Sequence, residues 1–200
     1  LPVPVVSILS NLDVDQIDEV GINSWKTYYK IVHYLIQAGH KKIAYLDGPK
    51  EYFQELQRIA GCTTAVGENT SGEISFYEYH AAGWSPETGY EAAKKLLRSE
   101  PDIDAILAVN DVLGIGVLRA CFENGYRIPE DISIIGAKNT ILSKNSNPVL
   151  SSVNYHFDEI ARVAAARMKD LIRSPGRISV KTQIIGDLVN RQSTRRSAAA

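Results

Sequence analysis

Apolar positions along this chain follow two periods, and where one gives way to the other the polar residues collect. Residues 105–109 and 132–135 are short apolar-rich runs of the kind that form strands buried on both faces. Between them Val112, Ile115, Leu118 and Phe122 recur at helical spacing, and Asp111 is placed to accept a hydrogen bond from an orphan N–H of the first turn. Asn124-Gly125 supplies a left-handed stop, and Pro129 bars any continuation of the helix. A crossover this long between buried strands predicts parallel pairing with a right-handed connection. Asn110, Asp111, Lys138 and Asn139 then stand together at the carboxyl ends of neighbouring strands, the edge at which open parallel sheets bind ligands.

The remaining pattern repeats the unit. Residues 4–9 read as a strand and 11–21 as an acidic segment of poor periodicity. A helix is predicted over 25–38, capped by Asn23-Ser24, carrying an apolar stripe of Tyr28, Ile31, Val32, Leu35 and Ile36, and stopped by Gly39. A strand at 43–46, the turn Asp47-Gly48-Pro49, a helix over 52–66 containing Arg58, and a loop at 67–72 follow. Residues 74–79 alternate as a strand, and Ser85-Pro86-Glu87 starts a helix that runs to Arg98. Beyond the central unit come an extended stretch at 148–155, a helix at 157–172, Pro175-Gly176, a last strand at 182–189 and a tail, 195–200, that reads as unstructured. Alternating strands and helices mean an α/β fold with parallel sheets.

Composition narrows the function classes. With 44% hydrophobic and 22% charged residues the chain is an ordinary globular one, and its net charge of -1 provides no basic field for holding nucleic acid or an anionic membrane unaided. Neither a membrane span nor a secretory signal is expected. Cys62 and Cys121 form no CxxC and fall in helical patterns, which points to a reduced, cytoplasmic setting. Gly114 and Gly116 suggest a dinucleotide fingerprint, but its third glycine is Arg119 and the pair lies inside a helix. No phosphate-binding loop, nucleophile elbow or zinc-protease motif occurs, and His33, His40, His80 and His156 lack ligand spacing. A binding protein that needs no cofactor or metal is therefore favoured over an enzyme.

Several stretches together resemble the effector-binding half of the LacI/GalR family of bacterial transcription regulators: Gly39-His40-Lys41-Lys42-Ile43-Ala44, Asp47-Gly48-Pro49, Arg58 with Ala60-Gly61, Ala108-Val109-Asn110-Asp111, Ile128-Pro129-Glu130-Asp131, and the closing Leu188-Val189-Asn190-Arg191-Gln192-Ser193-Thr194. The resemblance implies a periplasmic-binding-protein-like fold of type I, with two Rossmann-like subdomains and parallel sheets. Residues 1–48 and 156–176 are expected in an incomplete N-terminal subdomain and 49–154 and 180–194 in the C-terminal one, with crossings near 48, 155 and 180. It further implies a small-molecule effector in the intervening cleft, a homodimer, and DNA contacts through a headpiece absent from this chain. A solute-binding protein of a sugar transport system shares the fold and is the alternative.

Residue by residue, Arg58 matches a family arginine that reaches into the cleft, Trp84 an aromatic that stacks on sugar effectors (core packing being its rival), and Asn110 a ligand-binding amide, while Asp111 is left as the helix cap. Tyr52, Gln54 and Phe157 occupy positions that often line the cleft. Where the family carries an aspartate after Gly136, this chain has Ala137-Lys138-Asn139. Arg58 and Lys138 together would then favour an anionic effector such as a phosphosugar or a carboxylate; the alternative is that Lys138 faces solvent or pairs with a local acid.

Overall fold

The structure, a computed structural model, describes residues 3–10, 14–15, 17–49, 53–70, 72–174 and 178–196, with the side chains of 53–55 excepted. In chain order the elements are β1 (Val6–Ile8), β2 (Asp18–Ile22), α1 (Ser24–Gln37), β3 (Lys42–Asp47), α2 (Phe53–Gly67), β4 (Ser75–His80), α3 (Pro86–Ser99), β5 (Ala105–Ala108), α4 (Asp111–Glu123), β6 (Ser133–Ala137), α5 (Ile141–Asn145), β7 (Ser151–Asn154), α6 (Phe157–Arg173), β8 (Lys181–Ile184) and β9 (Asp187–Val189).

They build two sheets, one of three strands in the order β1-β2-β8 and one of six in the order β4-β3-β5-β6-β7-β9, parallel throughout except for the β7–β9 pair. In the larger sheet the chain steps from β3 outward to β4, then back past β3 to β5 and on to β6. Right-handed crossovers therefore put α2 on one face and α3 and α4 on the other. The packing agrees, with α1 along α2 and α3 along α4. The direction reverses between β3 and β5, so the crevice expected at a topological switch point opens at the ends of those two strands.

Buried apolar strands explain the order. Ile43, Ala44, Tyr45 and Leu46 of β3, all of β5, and Ile134 and Ile135 of β6 are sealed between the helix layers. The helices approach closely at glycines. A Cβ on Gly61 would sit 2.2 Å from the carbonyl oxygen of Trp25, and one on Gly89 2.6 Å from that of Leu113. At the end of α1, His40 is buried with Nδ1 3.3 Å from Asp104 Oδ1, and Asp104 also accepts the backbone N–H groups of Lys41 and Lys42. The histidine thus serves the packing between the end of α1 and the segment before β5.

Four expectations need correction. Residues 18–22 form a strand, β2, whose five residues are all buried. Asp18 is accommodated there because Arg167 of α6 donates Nε to its Oδ2 at 2.9 Å and Val180 N–H donates to its Oδ1 at 2.8 Å. The single strand expected at 182–189 is two, β8 in the small sheet and β9 in the large one, with Gly186 between them. A Cβ on Gly186 would meet Asn154 O and Thr27 Cγ2, both at 2.8 Å. Residues 24–47 belong to the larger sheet, since β3 hydrogen-bonds with both β4 and β5, and β8 belongs to the small one. The chain therefore crosses between the sheets at 22–24, 154–157 and 184–187. Finally, the tail is not free from 195 onward. Arg195 donates its backbone N–H to Ser133 Oγ and its Nε to Pro129 O, and accepts Tyr34 OH; residues 197–200 lie outside the described ones.

Candidate functional site

The carboxyl ends of β3, β4, β5, β6 and β7 converge on one edge of the larger sheet. β3 ends in Asp47, whose carboxylate is fully engaged: Oδ2 accepts Tyr45 OH at 2.8 Å, Oδ1 accepts Gly48 N–H at 2.7 Å, and Arg58 Nη1 lies 3.6 Å from Oδ2. Arg58 comes from α2 and is buried. Its guanidinium lies 5.8 Å from the centre of the Tyr28 ring and close to the Tyr155 hydroxyl. The Tyr28 and Tyr155 hydroxyls are 2.9 Å apart, and Tyr28 meets Tyr45 edge to face at 5.6 Å. Burial raises all three phenols above their usual range, so they stay neutral hydroxyls around a charged arginine. Arg58, expected to reach into the cleft, is held within this cluster.

Two rings stand at the rim. Trp84 follows β4 and remains 44% exposed, with its six-membered ring laid against Gly48 so closely that a Cβ there would be 2.3 Å from it. Phe157, the first residue of α6, is 41% exposed and packs edge to face on Tyr155 at 5.8 Å. Neither is a core residue. Tyr52 lies outside the described residues, and of Gln54 only the backbone, within α2, is described.

At the end of β5 the cap falls to Asn110 and not to Asp111, where it was expected. Asn110 is the helix cap: its backbone is extended and its Oδ1 accepts Leu113 N–H at 2.8 Å. Its amide N–H group is uncommitted among the described residues. Asp111, buried in the first turn of α4, reaches across to β6 and β7. Its Oδ2 accepts the N–H and Oγ1 of Thr140 at 2.6 and 2.8 Å, and its Oδ1 accepts Ser152 Oγ at 2.6 Å. Gly136 makes room for it, since a Cβ there would stand 2.5 Å from Oδ1.

That carboxylate holds the turn bearing Lys138. Lys138 and Asn139 adopt left-handed φ angles of 86° and 51°, each costing roughly 1–3 kcal/mol in a non-glycine residue. The strain is offset by bonds on every side. Lys138 N–H donates to Val153 O, Asn139 N–H to Ser152 Oγ, and Arg191 Nη2 to Asn139 Oδ1. Asn139 is thereby turned away toward Arg191. Lys138 is an exposed residue, as one alternative had it, and presents its ammonium to solvent; local desolvation and the charge of Arg58 make that group easier to deprotonate, against the opposing pull of Asp111 and Asp47. Asp47, Tyr28, Tyr45 and Tyr155 were not singled out as site residues, and only the turn motif containing Asp47 hinted at them.

A family described as the periplasmic binding protein-like domain matches residues 32–194. Catabolite control protein A of Priestia megaterium is 31% identical over 97% of this chain and 58% of its own, and the HTH-type transcriptional regulator CelR of Thermobifida fusca is 26% identical over 86% and 51%. A solved transcriptional regulator CelR–cellobiose complex superposes with a TM-score of 0.80 at 26% identity, covering 96% of this chain and 59% of that one. The chain spans about half the length of the curated relatives it matches. It belongs to the periplasmic binding protein-like domain family, in the form that serves LacI/GalR transcription regulators as their effector-binding domain.

Proposed function

We propose that the chain is the effector-sensing and dimerising part of a bacterial LacI-type regulator. It binds a sugar-like small molecule between its two sheets and so alters how an attached helix-turn-helix unit meets DNA. The observation that carries this reading is the convergence at the switch point of a buried arginine, an uncommitted amide and two solvent-facing rings. Rings cover the apolar face of a sugar while amide and guanidinium groups take its hydroxyls. The chain crosses between the sheets three times beside that convergence, so a ligand touching both sides biases their relative orientation. The relatives' names describe transcription regulators and the CelR complex holds cellobiose, which supports a sensor over an enzyme or a transport component. Among the described residues no helix is long and apolar enough to cross a membrane; we read the setting as cytoplasmic.

Tryptophan fluorescence during titration with mono- and disaccharides tests the site, because Trp84 and Trp25 are the chain's two tryptophans. A binding sugar is expected to change the emission, and Trp84→Phe to remove most of that change while keeping saturation detectable by calorimetry. Trp84→Ala is expected to weaken binding about tenfold, a stacking contact being worth on the order of 1 kcal/mol. An emission change that survives in Trp84→Phe would place the ligand elsewhere.

The dimer is drawn from α4 and α5. Phe122 is 76% exposed and Ile141 67%, and with Ile115, Leu142 and Arg119 they rim a surface hollow of about 420 Å³. An apolar patch of this kind on a soluble chain marks an interaction surface. Light scattering at micromolar concentration is expected to give a dimer mass for the native chain and a monomer mass for Phe122→Asp/Ile141→Asp. Unchanged mass in the double variant would remove this face from the interface.

A further inference from the structure

Two cationic residues belong to this region of the larger sheet, Arg58 on α2 and Lys138 after the end of β6, and the protein compensates them unequally. Arg58 has Asp47 at 3.6 Å and the Tyr155 hydroxyl. Lys138 has no hydrogen bond or ion pair for its ammonium among the described residues. The two acids near enough to act on it are spent elsewhere, Asp47 on Tyr45, Gly48 and Arg58, and Asp111 on Thr140 and Ser152. Of the charges that reach the ammonium, the largest influence is the repulsion from Arg58. Lys138 stands exposed after the end of β6, on a turn held left-handed by the bonds of Lys138 N–H to Val153 O, Asn139 N–H to Ser152 Oγ and Arg191 to Asn139, and no nearby acid among the described residues is free to pair with it. An arriving negative group relieves that situation.

We propose that Lys138, with the Asn110 amide on the adjacent strand end, receives an oxyanion carried by the effector, so that the site selects a sugar acid or sugar phosphate over the neutral parent sugar. The inference rests on the effector-sensing reading and adds the chemical class of the ligand. Carboxylate and phosphate share the relevant chemistry: charged oxygens that accept from an ammonium and from an amide N–H. Trp84 and Phe157 then flank the sugar ring, and Lys138 is the residue that sets specificity. An ammonium–oxyanion contact covered by the bound ligand itself is expected to favour the anionic ligand by on the order of tenfold.

The test uses inorganic phosphate and acetate against chloride at matched ionic strength, and the sugar sets D-glucose, D-glucuronate and D-glucose 6-phosphate, and D-ribose with D-ribose 5-phosphate. Phosphate or acetate is expected to raise the unfolding midpoint of the native chain and not of Lys138→Met. One anionic sugar is expected to bind at least tenfold tighter than its parent, with the preference lost in Lys138→Met and restored in Lys138→Arg. Which anion responds separates a carboxylate site from a phosphate site. Equal midpoint shifts in the native chain and Lys138→Met overturn the proposal. So does a neutral sugar that outbinds its acids, and that result leaves the effector reading standing. A Lys138-dependent phosphate shift with no sugar bound supports the oxyanion site and tells against the sugar reading.

Discussion

Asp111→Ala is expected to cost about 3–5 kcal/mol of stability, because it leaves buried hydrogen-bond donors without an acceptor and removes a charge that a polar network was built around. Thr140 N–H, Thr140 Oγ1 and Ser152 Oγ all donate to this one carboxylate at 2.6–2.8 Å, Ser152 sealed from water and Thr140 half-buried. For a chain of 200 residues such a loss lowers the unfolding midpoint by roughly 10 °C. Asp111→Asn keeps the volume and one acceptor, so about half the loss is expected. Urea unfolding with an unchanged denaturant slope measures both. A cost below about 1 kcal/mol for Asp111→Ala would mean that the Lys138 turn holds itself, and that the carboxylate only decorates it.

Gly116→Ala is the second large effect, and two opposing magnitudes decide its sign. In an open helix interior the change gains about 1 kcal/mol from reduced backbone freedom. Here the added Cβ would lie 2.1 Å from Pro86 O and 2.5 Å from Tyr90 N, so it collides with the backbone of α3 rather than with a side chain that can swing aside. That helix is fixed at its start by a capping box between Ser85 and Thr88 and by Pro86 in its first turn, so α3 and α4 must separate as bodies. Overpacking of this kind costs 1–3 kcal/mol or more, and a net destabilisation of about 2 kcal/mol is expected. Gly67→Ala, at the end of α2 with open space around it, is the control and should be neutral or slightly stabilising. If both variants unfold together with the native chain, the α3–α4 contact is looser than its geometry implies.

The parts of the fold that were legible before any coordinates are those in which burial and pattern coincide. β3, β5 and β6 are sealed on both faces and read as apolar runs, and α3 announces its start through Ser85-Pro86-Glu87. The unread parts are those where a polar residue serves a distant partner. β2 looked like an acidic linker because Asp18 carries a charge, and its partner Arg167 stands on α6, far along the chain. β8 and β9 looked like one strand because their assignment to different sheets is set by pairing with β2 and β7, which no local pattern records. The same holds at Asn110-Asp111. Both residue types cap helices, and only the reach of Thr140 and Ser152 toward Asp111 decides that Asn110 does so. In the candidate site, Arg58 is proposed through its family match and Lys138 through its place after Gly136 at a strand end, whereas Tyr28 and Tyr155 are hidden because a tyrosine among apolar neighbours gives no sign of the hydroxyl contact it makes across the core.

The way the Lys138 turn is secured also limits how ligand preference can be re-engineered. Its support comes from positions 111, 152 and 191, which lie on α4, on β7 and after β9. Transplanting residues 137–140 from a relative would import a loop shape whose anchors stay behind. Converting the chain to a new ligand therefore calls for exchanging these separated positions as a set, and a library that randomises the loop alone would return mostly collapsed or unresponsive variants.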